Sequence, residues 1–187
     1  MRKALINAIL FTIVTTVVFG LVYPLAMVGL SKWLFPRQAA GSLIEKDGHV
    51  VGSSLIGQAF TSDKYFHSRP SSAGNGYDAS ASSASNLAPT NQALVDRVKG
   101  DVAKLQQENP GAPIPADLVT SSGSGLDPHI SPAAAAFQIP RVAKARGLSA
   151  EALKALVAKH TEQRTFGIFG EPRVNVLELN LELDGLK

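Results

Sequence analysis

The first part of the chain is one long hydrophobic run. Residues 4–30 contain no charged side chain, and as a helix they would extend roughly 40 Å, more than the ~30 Å hydrocarbon core of a bilayer. The pattern predicts a transmembrane helix over residues 1–34. Pro24 is expected to kink this helix or end its regular part, because proline has no N–H to donate. Cations and a tryptophan flank the run, as they do at membrane interfaces: Arg2, Lys3, Lys32, Trp33 and Arg37.

A cleaved signal peptide is the alternative interpretation of this run. Such a peptide has a hydrophobic region of about 7–15 residues before a small-residue cleavage site. Ala39 and Ala40 resemble such a site, but the run before them is too long, so we expect the segment to be retained. The flanking charges favour a cytoplasmic N-terminus and a main domain outside the membrane.

One stripe of the predicted helix combines hydroxyl and aromatic side chains at helical spacing. Such a stripe suits packing against another transmembrane helix. The alternative is that each threonine hydroxyl donates to the carbonyl of its own helix four residues earlier while the stripe faces lipid. The stripe consists of Thr12, Thr15, Thr16, Phe19 and Tyr23.

Residues 35–187 are predicted to form one domain of mixed secondary structure. Asp47-Gly48 lies between two short apolar runs, 43–46 and 49–56, and this arrangement predicts a β-hairpin. Residues 67–90 are mostly Ser, Ala, Asn, Gly and Pro, a composition that predicts a long loop. The irregular sequence of this loop favours an ordered functional loop over a disordered linker.

The last third of the chain predicts helices and one strand. Leucines occupy every second position from 177 to 183, and this period of two predicts a half-buried strand over 175–183. A helix that starts at Pro172 is the alternative. The fold class is therefore α+β: a single N-terminal transmembrane helix followed by one extracytoplasmic α+β domain. Three helices are predicted, each after a capping residue: 91–107 after Thr90, 132–146 after Ser131 and 150–161 after Ser149.

Charge and composition exclude several function classes. The 187 residues include no cysteine, which excludes disulfides, thiol catalysis and cysteine-based zinc sites. The net charge of +3 comes from the N-terminal segment, because residues 38–187 contain 14 basic and 15 acidic side chains. The main domain thus has no basic excess of the kind that nucleic-acid binding requires, and no nucleic-acid partner is expected.

The sequence contains no strong catalytic motif. It has no phosphate-binding loop, no HExxH metal pair and no GxSxG nucleophile elbow, so no catalytic or metal residue is predicted. Ser124, Asp127 and His129 lie close together before a predicted helix. They are read as a glycine-rich turn, with an anion site or a hydrolase triad as alternatives. Arg69 either pairs bidentately with a carboxylate or pins the long loop to its own domain.

Several stretches, in order along nearly the whole chain, resemble the C subunit of the Kdp-type potassium-transporting ATPase. The most specific is SGSGLDPHIS at 122–131. One departure is Ala88, where the family pattern has glycine. The other matching stretches are LIGQ at 55–58, SRPS at 68–71, SNLAPTN at 85–91, RVA at 141–143 and GEPRVN at 170–175.

The resemblance implies a non-catalytic accessory subunit of a high-affinity ATP-driven potassium uptake complex in the bacterial inner membrane. Its partners would be a channel-like potassium-translocating subunit, a P-type ATPase subunit and a small membrane subunit. The family's C subunit is described as a catalytic chaperone that raises the ATP affinity of the ATPase subunit, with Gln58 as the matching nucleotide candidate. A domain outside the membrane cannot touch cytoplasmic ATP. We therefore expect no cofactor on this chain and an ATP effect only through the ATPase subunit.

The resemblance also directs attention to the loop surface as the interface with a partner. Two alternatives remain open: a membrane-anchored extracytoplasmic hydrolase that uses Ser124, Asp127 and His129, and a solitary anchored binding module. The expected interface residues are Arg69, Asn86, Asp127 and His129.

Overall fold

The computed structural model describes residues 1–186, which form two compact units, Met1–Val51 and the residues from Gly52 onward. The first unit begins with helix α1, Arg2–Val17, a π-helical turn, Val18–Val22, and helix α2, Tyr23–Leu34. Together they make one apolar helical segment of 33 residues, long enough to cross a membrane. This confirms the prediction of a single long apolar helix at the N-terminus.

The π-helical turn is explained by Pro24, which has no N–H to donate to the preceding turn. The N–H of Tyr23 donates to the carbonyl of Val18, so the chain widens by one residue and then continues as α2 to Leu34. Pro24 therefore perturbs the helix locally without ending it.

Two threonine hydroxyls of the stripe, those of Thr12 and Thr15, bond within their own helix. Thr12 Oγ1 donates to the Ala8 carbonyl at 2.9 Å, and Thr15 Oγ1 donates to the Phe11 carbonyl at 2.8 Å. These are the hydrogen bonds of the alternative interpretation, in which each threonine bonds back to its own helix. Packing against another helix stays a prediction.

A short helix and the predicted hairpin follow the membrane segment. Helix α3 is Pro36–Ala39, and strands β1, Leu43–Lys46, and β2, His49–Ser53, pair with each other. Asp47 and Gly48 both have positive φ, 53° and 77°, as a two-residue type I′ turn requires. The hairpin prediction is confirmed, although the second strand ends at Ser53 rather than at residue 56.

The unit from Gly52 onward is called the head below, and its described residues form four α-helices and a three-stranded antiparallel sheet. The sheet order is β3-β5-β4, with Ile130 opposite Val174 and Thr161 opposite Val174. The helices are α4, Gln92–Glu108, α5, Pro132–Arg146, α6, Ala150–Lys159, and α7, Val176–Leu183. The strands are β3, His129–Ile130, β4, Thr161–Glu162, and β5, Arg173–Asn175, and two short 3-10 turns span Ala79–Ala81 and Ala116–Leu118.

The three predicted helices are confirmed. Their ends could be predicted because the residues that cap a helix are close to it in the sequence. Ser131 Oγ accepts from the N–H of Ala134 at 3.0 Å, and Gly147 ends α5 with a φ of 67°. The predicted cap of α4 was off by one residue: the cap is Asn91, not Thr90.

The predicted strand over 175–183 is wrong. Asn175 ends strand β5 and caps helix α7, its Oδ1 accepting from the N–H of Glu178 at 3.2 Å. Val176, Leu179, Asn180 and Leu183 are buried, at the i, i+3, i+4, i+7 spacing of one helix face. The leucines alone occupy every second position, which suggested a strand. The helical period becomes visible only when Val176 and Asn180 are counted as buried positions too.

The core of the head lies between α5, α6, α7 and the sheet. Phe66, from the extended chain before the long loop, is fully buried in it. The long loop therefore begins directly after a residue of the core. The other large side chains at less than 2% exposure include Val142, Leu153, Val174, Val176, Leu179 and Leu183.

Candidate functional site

The chain enters the long loop as an extended segment that two buried amide side chains hold. Asn180 accepts from the N–H of Phe66 and donates to its carbonyl, each at 2.9 Å. Gln138 accepts from the N–H of His67 at 2.7 Å and donates to its carbonyl at 3.1 Å. The two amides thus replace the neighbouring strand that an extended backbone needs, since buried N–H and C=O groups must be paired.

The loop of residues 67–90 is then tied to the SGSGLDPHIS stretch. Ser71 Oγ donates to the Gly125 carbonyl at 2.6 Å and accepts from the N–H of Tyr77 at 2.8 Å. The Tyr77 hydroxyl donates to the Arg69 carbonyl, and burial raises the pKa of Tyr77. The N–H of Ser83 donates to the Ser124 carbonyl at 3.0 Å. These contacts agree with the expectation of an ordered loop.

Two glycines of the matching stretches permit this close backbone approach. A Cβ on Gly125, whose φ is +68°, would lie 2.6 Å from the Ser83 carbonyl oxygen. A Cβ on Gly57 would lie 2.6 Å from the Asp127 carbonyl oxygen. No side chain fits in either place, so the motifs act here as packing devices between backbone segments.

Arg69 crosses from the loop to the opposite stretch. Its Nη1 lies 3.1 Å from Asp127 Oδ2, and its Nε donates to the Thr120 carbonyl at 3.4 Å. Nη2 reaches the Ser121 carbonyl at 3.5 Å. The guanidinium therefore pairs with a carboxylate, through one nitrogen, and also pins the loop to its own domain.

Asp127 is the centre of this cluster. Its Oδ1 accepts from the N–H of His129 at 3.0 Å and lies 3.5 Å from His129 Nδ1. Burial alone would raise the pKa of Asp127, but the hydrogen bonds from His129 and the charge of Arg69 together lower it below the usual range. The carboxylate is thus ionised at neutral pH and already engaged on both oxygens.

Three of the four predicted interface residues line one open cavity of about 510 Å³. Asn86 is not among the lining residues; it is exposed and has a left-handed φ of 53°. Its placement does not test a role at an interface, and neither does that of the other three. The charged and polar lining includes Arg69, Asp117, Asp127, His129, Glu171 and Arg173.

The geometry of a hydrolase triad is not present in the part of the chain that the structure describes. Ser124 Oγ accepts from the N–H of Leu126 at 3.1 Å and lies 3.4 Å from Ser122 Oγ, whereas His129 contacts Asp127. A nucleophilic serine needs a hydrogen bond to its base. No group of three or more metal-binding side chains is found among residues 1–186 either.

Gln58 lies within the packing of the head. Its amide nitrogen would be 2.2 Å from a Cβ placed on Gly52, and the same Cβ would be 2.7 Å from Leu177 Cδ2. Its carbonyl accepts from Ser68 Oγ at 3.3 Å. The side chain is half-buried, so the structure gives it internal neighbours and does not test nucleotide binding.

Sequence reasoning missed the buried polar residues that position the loop. Gln138 sits in an otherwise apolar helix start, AAAAFQIP, and Asn180 interrupts the leucines of the tail. A polar residue on an apolar helix face was the signal that could have found both. Asn175 also acts at a distance, donating to the Ser54 carbonyl at 2.8 Å. Arg141 donates to Glu108 at 2.8 Å.

The comparisons with known proteins agree with these motifs. The family described as "K+-transporting ATPase, c chain" matches residues 5–185. A potassium-transporting ATPase KdpC subunit of Koribacter versatilis (strain Ellin345) is 60% identical over 185 residues, covering 99% of this chain and 96% of the relative. One of Rhodopseudomonas palustris (strain BisB18) is 57% identical over 199 residues, with 100% of both chains covered. Close identity over the full length shows that the chain belongs to the KdpC family, the non-catalytic c subunit of the potassium-transporting Kdp ATPase.

Proposed function

We propose that the chain assembles and stabilises the potassium-transporting complex. Its helix packs among the membrane segments of a channel-like potassium-translocating subunit, a P-type ATPase subunit and a small membrane subunit. Its head covers the outer face of the channel-like subunit. The complex lies in the bacterial inner membrane, with the N-terminus of this chain in the cytoplasm and the head outside.

The observation that carries the proposal is the N-terminal helix. It has 33 residues, and none of them is buried within the chain. Helices in lipid associate through close packing and interhelical hydrogen bonds, since lipid tails are as apolar as leucine. An apolar helix with a threonine and aromatic stripe therefore offers both an anchor and a packing surface.

The proposed orientation also separates the head from cytoplasmic ATP. Any increase in the ATP affinity of the complex is then exerted through the ATPase subunit, and this chain binds no nucleotide itself. The half-buried position of Gln58 beside Gly52 supports this. The near-neutral charge of residues 38–187 supports it too, because triphosphate binding favours a cationic site.

The loop surface around the 510 Å³ cavity is the proposed contact of the head. Arg69 and Asp127 are held by internal hydrogen bonds, so at this pair a partner would recognise a preformed surface at a low entropic cost. Simultaneous alanine substitution of Arg69, Asn86, Asp127 and His129 should weaken assembly and lower potassium uptake. Unchanged assembly and uptake would remove these residues from the interface.

Deletion of residues 1–34 tests the main proposal. The truncated chain should lose stable association with the other subunits, measured by co-purification from detergent-solubilised membranes. A control chain keeps the anchor but replaces residues 4–23 by a leucine and alanine helix of equal length. If only tethering matters, this control restores assembly; if packing matters, it does not. Full recovery of the truncated chain with its partners would contradict the proposal.

Protease accessibility in sealed vesicles tests the orientation. In vesicles with the outer face exposed, added protease should cleave the head, and in inverted vesicles the head should be protected. Cleavage only in the inverted vesicles would place the head in the cytoplasm and would reopen direct contact with nucleotide.

A further inference from the structure

One turn of the head carries large apolar side chains on its outside. Phe166 is 88% exposed, Ile168 72% and Phe169 66%. Among the described residues from Gly52 onward, these are the three most exposed large hydrophobic side chains. Scattered apolar residues are normal at a protein surface, but a cluster on one turn marks an interaction site. The cluster Phe166, Ile168 and Phe169 is called the apolar turn below.

The apolar turn is a closed structure. Thr165 and Phe169 form an antiparallel bridge with N–H···O distances of 2.9 and 3.0 Å, and the N–H of Gly167 donates to the Arg164 carbonyl at 2.9 Å. Phe166 has a left-handed φ of 55°, which is a rare conformation for a bulky residue. The chain thus holds a phenylalanine in an unfavourable conformation where it contacts solvent, and such outliers cluster at functional sites.

The charges at the base of the turn indicate which kind of partner it meets. Arg164 pairs with Glu171 at 2.5 Å, and Arg173 pairs with Glu162 at 2.8 Å, so the base has no net charge. A loop that binds anionic lipid combines apolar residues with unpaired Lys or Arg. Aromatic residues inside a balanced polar rim are the composition of a protein–protein hot spot.

The turn is also continuous with the candidate site. Glu171 and Arg173, at the base of the turn, line the same cavity as Arg69 and Asp127. One face of the head therefore combines a preformed polar surface with an adjacent apolar projection. Hot spots have this arrangement, with a desolvated anchor beside polar contacts.

We propose that the apolar turn is the anchor of the head on the channel-like subunit, where it inserts into an apolar pocket on the outer face. This rests on the proposed function, which places the head there. Buried aromatic side chains contribute roughly 150–250 Å² each. The two phenylalanines with Ile168 are thus sufficient for the centre of an interface of standard size, about 800 Å² per partner.

Site-specific photocrosslinking in the assembled complex tests the proposal. The photoreactive residue p-benzoylphenylalanine replaces Phe166, and a control chain carries it at Lys99, an exposed position of α4. We expect crosslinking from position 166 to the channel-like subunit and not from position 99. Crosslinking from position 166 only to lipid, only to another subunit, or to nothing would overturn the proposal.

The substitution Phe166→Asn gives an independent measurement. Asparagine tolerates the left-handed conformation better than phenylalanine, so the turn and the head should stay folded while the anchor is lost. In the wild-type complex, amide hydrogen exchange over residues 164–173 should be at least tenfold slower than in the isolated full chain, and the variant should lose this protection. Equal protection in variant and wild type, with Lys99→Asn as the control, would overturn the proposal.

The outcomes are separable from those of the proposed function. If the chain co-purifies with its partners through the helix but position 166 does not reach the channel-like subunit, the anchor proposal fails and the assembly function stands. If deletion of the helix has no effect on assembly, the assembly function fails whatever the crosslinks show.

Discussion

Asn180 offers the sharpest test of how the head is held together. Its amide is buried and makes two hydrogen bonds of 2.9 Å to the backbone of Phe66. Phe66 is itself fully buried, so Asn180→Ala leaves one N–H and one carbonyl without partners in the core. An unsatisfied buried group costs about 1–3 kcal/mol, and two of them cost about 2–6 kcal/mol. That is a large part of the ~5–15 kcal/mol that stabilises a typical domain.

The loss can be measured by pulse proteolysis of the full chain in detergent across a urea series. With a slope of about 2 kcal/mol per molar urea, the midpoint for cleavage of the head should fall by about 1–3 M. Asn75→Ala is the matched control, because Asn75 is exposed in the long loop and its removal should shift the midpoint by less than about 0.3 M. A similarly small shift for Asn180→Ala would refute the reasoning.

A second variant separates loss of hydrogen bonds from loss of volume. Asn180→Asp keeps the shape and the acceptor but places an oxygen against the Phe66 carbonyl, so it should be about as destabilising as alanine at pH 7. Protonation of the introduced carboxyl group restores a donor. The difference in midpoint between this variant and the wild type should therefore narrow as the pH falls to about 5, because burial favours the protonated form. A difference that stays constant with pH would show that hydrogen bonding to the carbonyl is not the cause.

Three further predictions concern the loop surface. Gly125→Ala should destabilise the head by roughly 2–4 kcal/mol through backbone strain and overlap and speed hydrogen exchange in the loop, whereas Gly123→Ala, which has open space around its Cβ position, should change stability by less than about 0.5 kcal/mol. Burial, with the charge of a neighbouring arginine, lowers the pKa of His67, so the unfolded chain binds the proton more readily and wild-type stability should fall as the pH drops below about 6.5. A plot of the urea midpoint against pH should show this fall, and His67→Gln should make it smaller. The lowered pKa of Asp127 means that its contribution exists above about pH 4 and is lost as the pH falls further; Asp127→Asn should cost about 0.5–1 kcal/mol at pH 7 and match the wild type in strong acid.

The sequence predicted best those elements whose signals are local. Ser131 before a proline, and Gly147 at the other end, are enough to place both ends of α5, because capping bonds join neighbours in the chain. The hairpin followed from two residues, Asp47 and Gly48, that adopt the required positive φ. The tail was mispredicted because its leucines fit a period of two, whereas its buried face, which includes Val176 and Asn180, fits a helical period. Asn180 contacts Phe66, 114 residues away, and no local pattern indicates that contact.

The candidate site could be predicted in composition but not in connectivity. Arg69 and Asp127 were both singled out, yet their mutual ion pair joins positions 58 residues apart, and nothing local in the sequence indicates that they meet. The apolar turn was missed for a different reason. Phe166, Ile168 and Phe169 resemble core residues in any hydrophobicity pattern, and only the folded head shows that they lie at the surface.

The hydrogen bonds of the head fit the proposed assembly role better than an enzymatic one. A catalytic group must keep a lone pair or a proton available for substrate, whereas both carboxylate oxygens of Asp127 are engaged by Arg69 and His129. The same bonds make the surface rigid, and two buried amides hold the chain that leads into it. Rigidity lowers the entropic cost of docking. A surface whose central Arg69–Asp127 pair is engaged internally, beside a turn whose apolar side chains are exposed, fits the proposed role of docking against a neighbouring subunit.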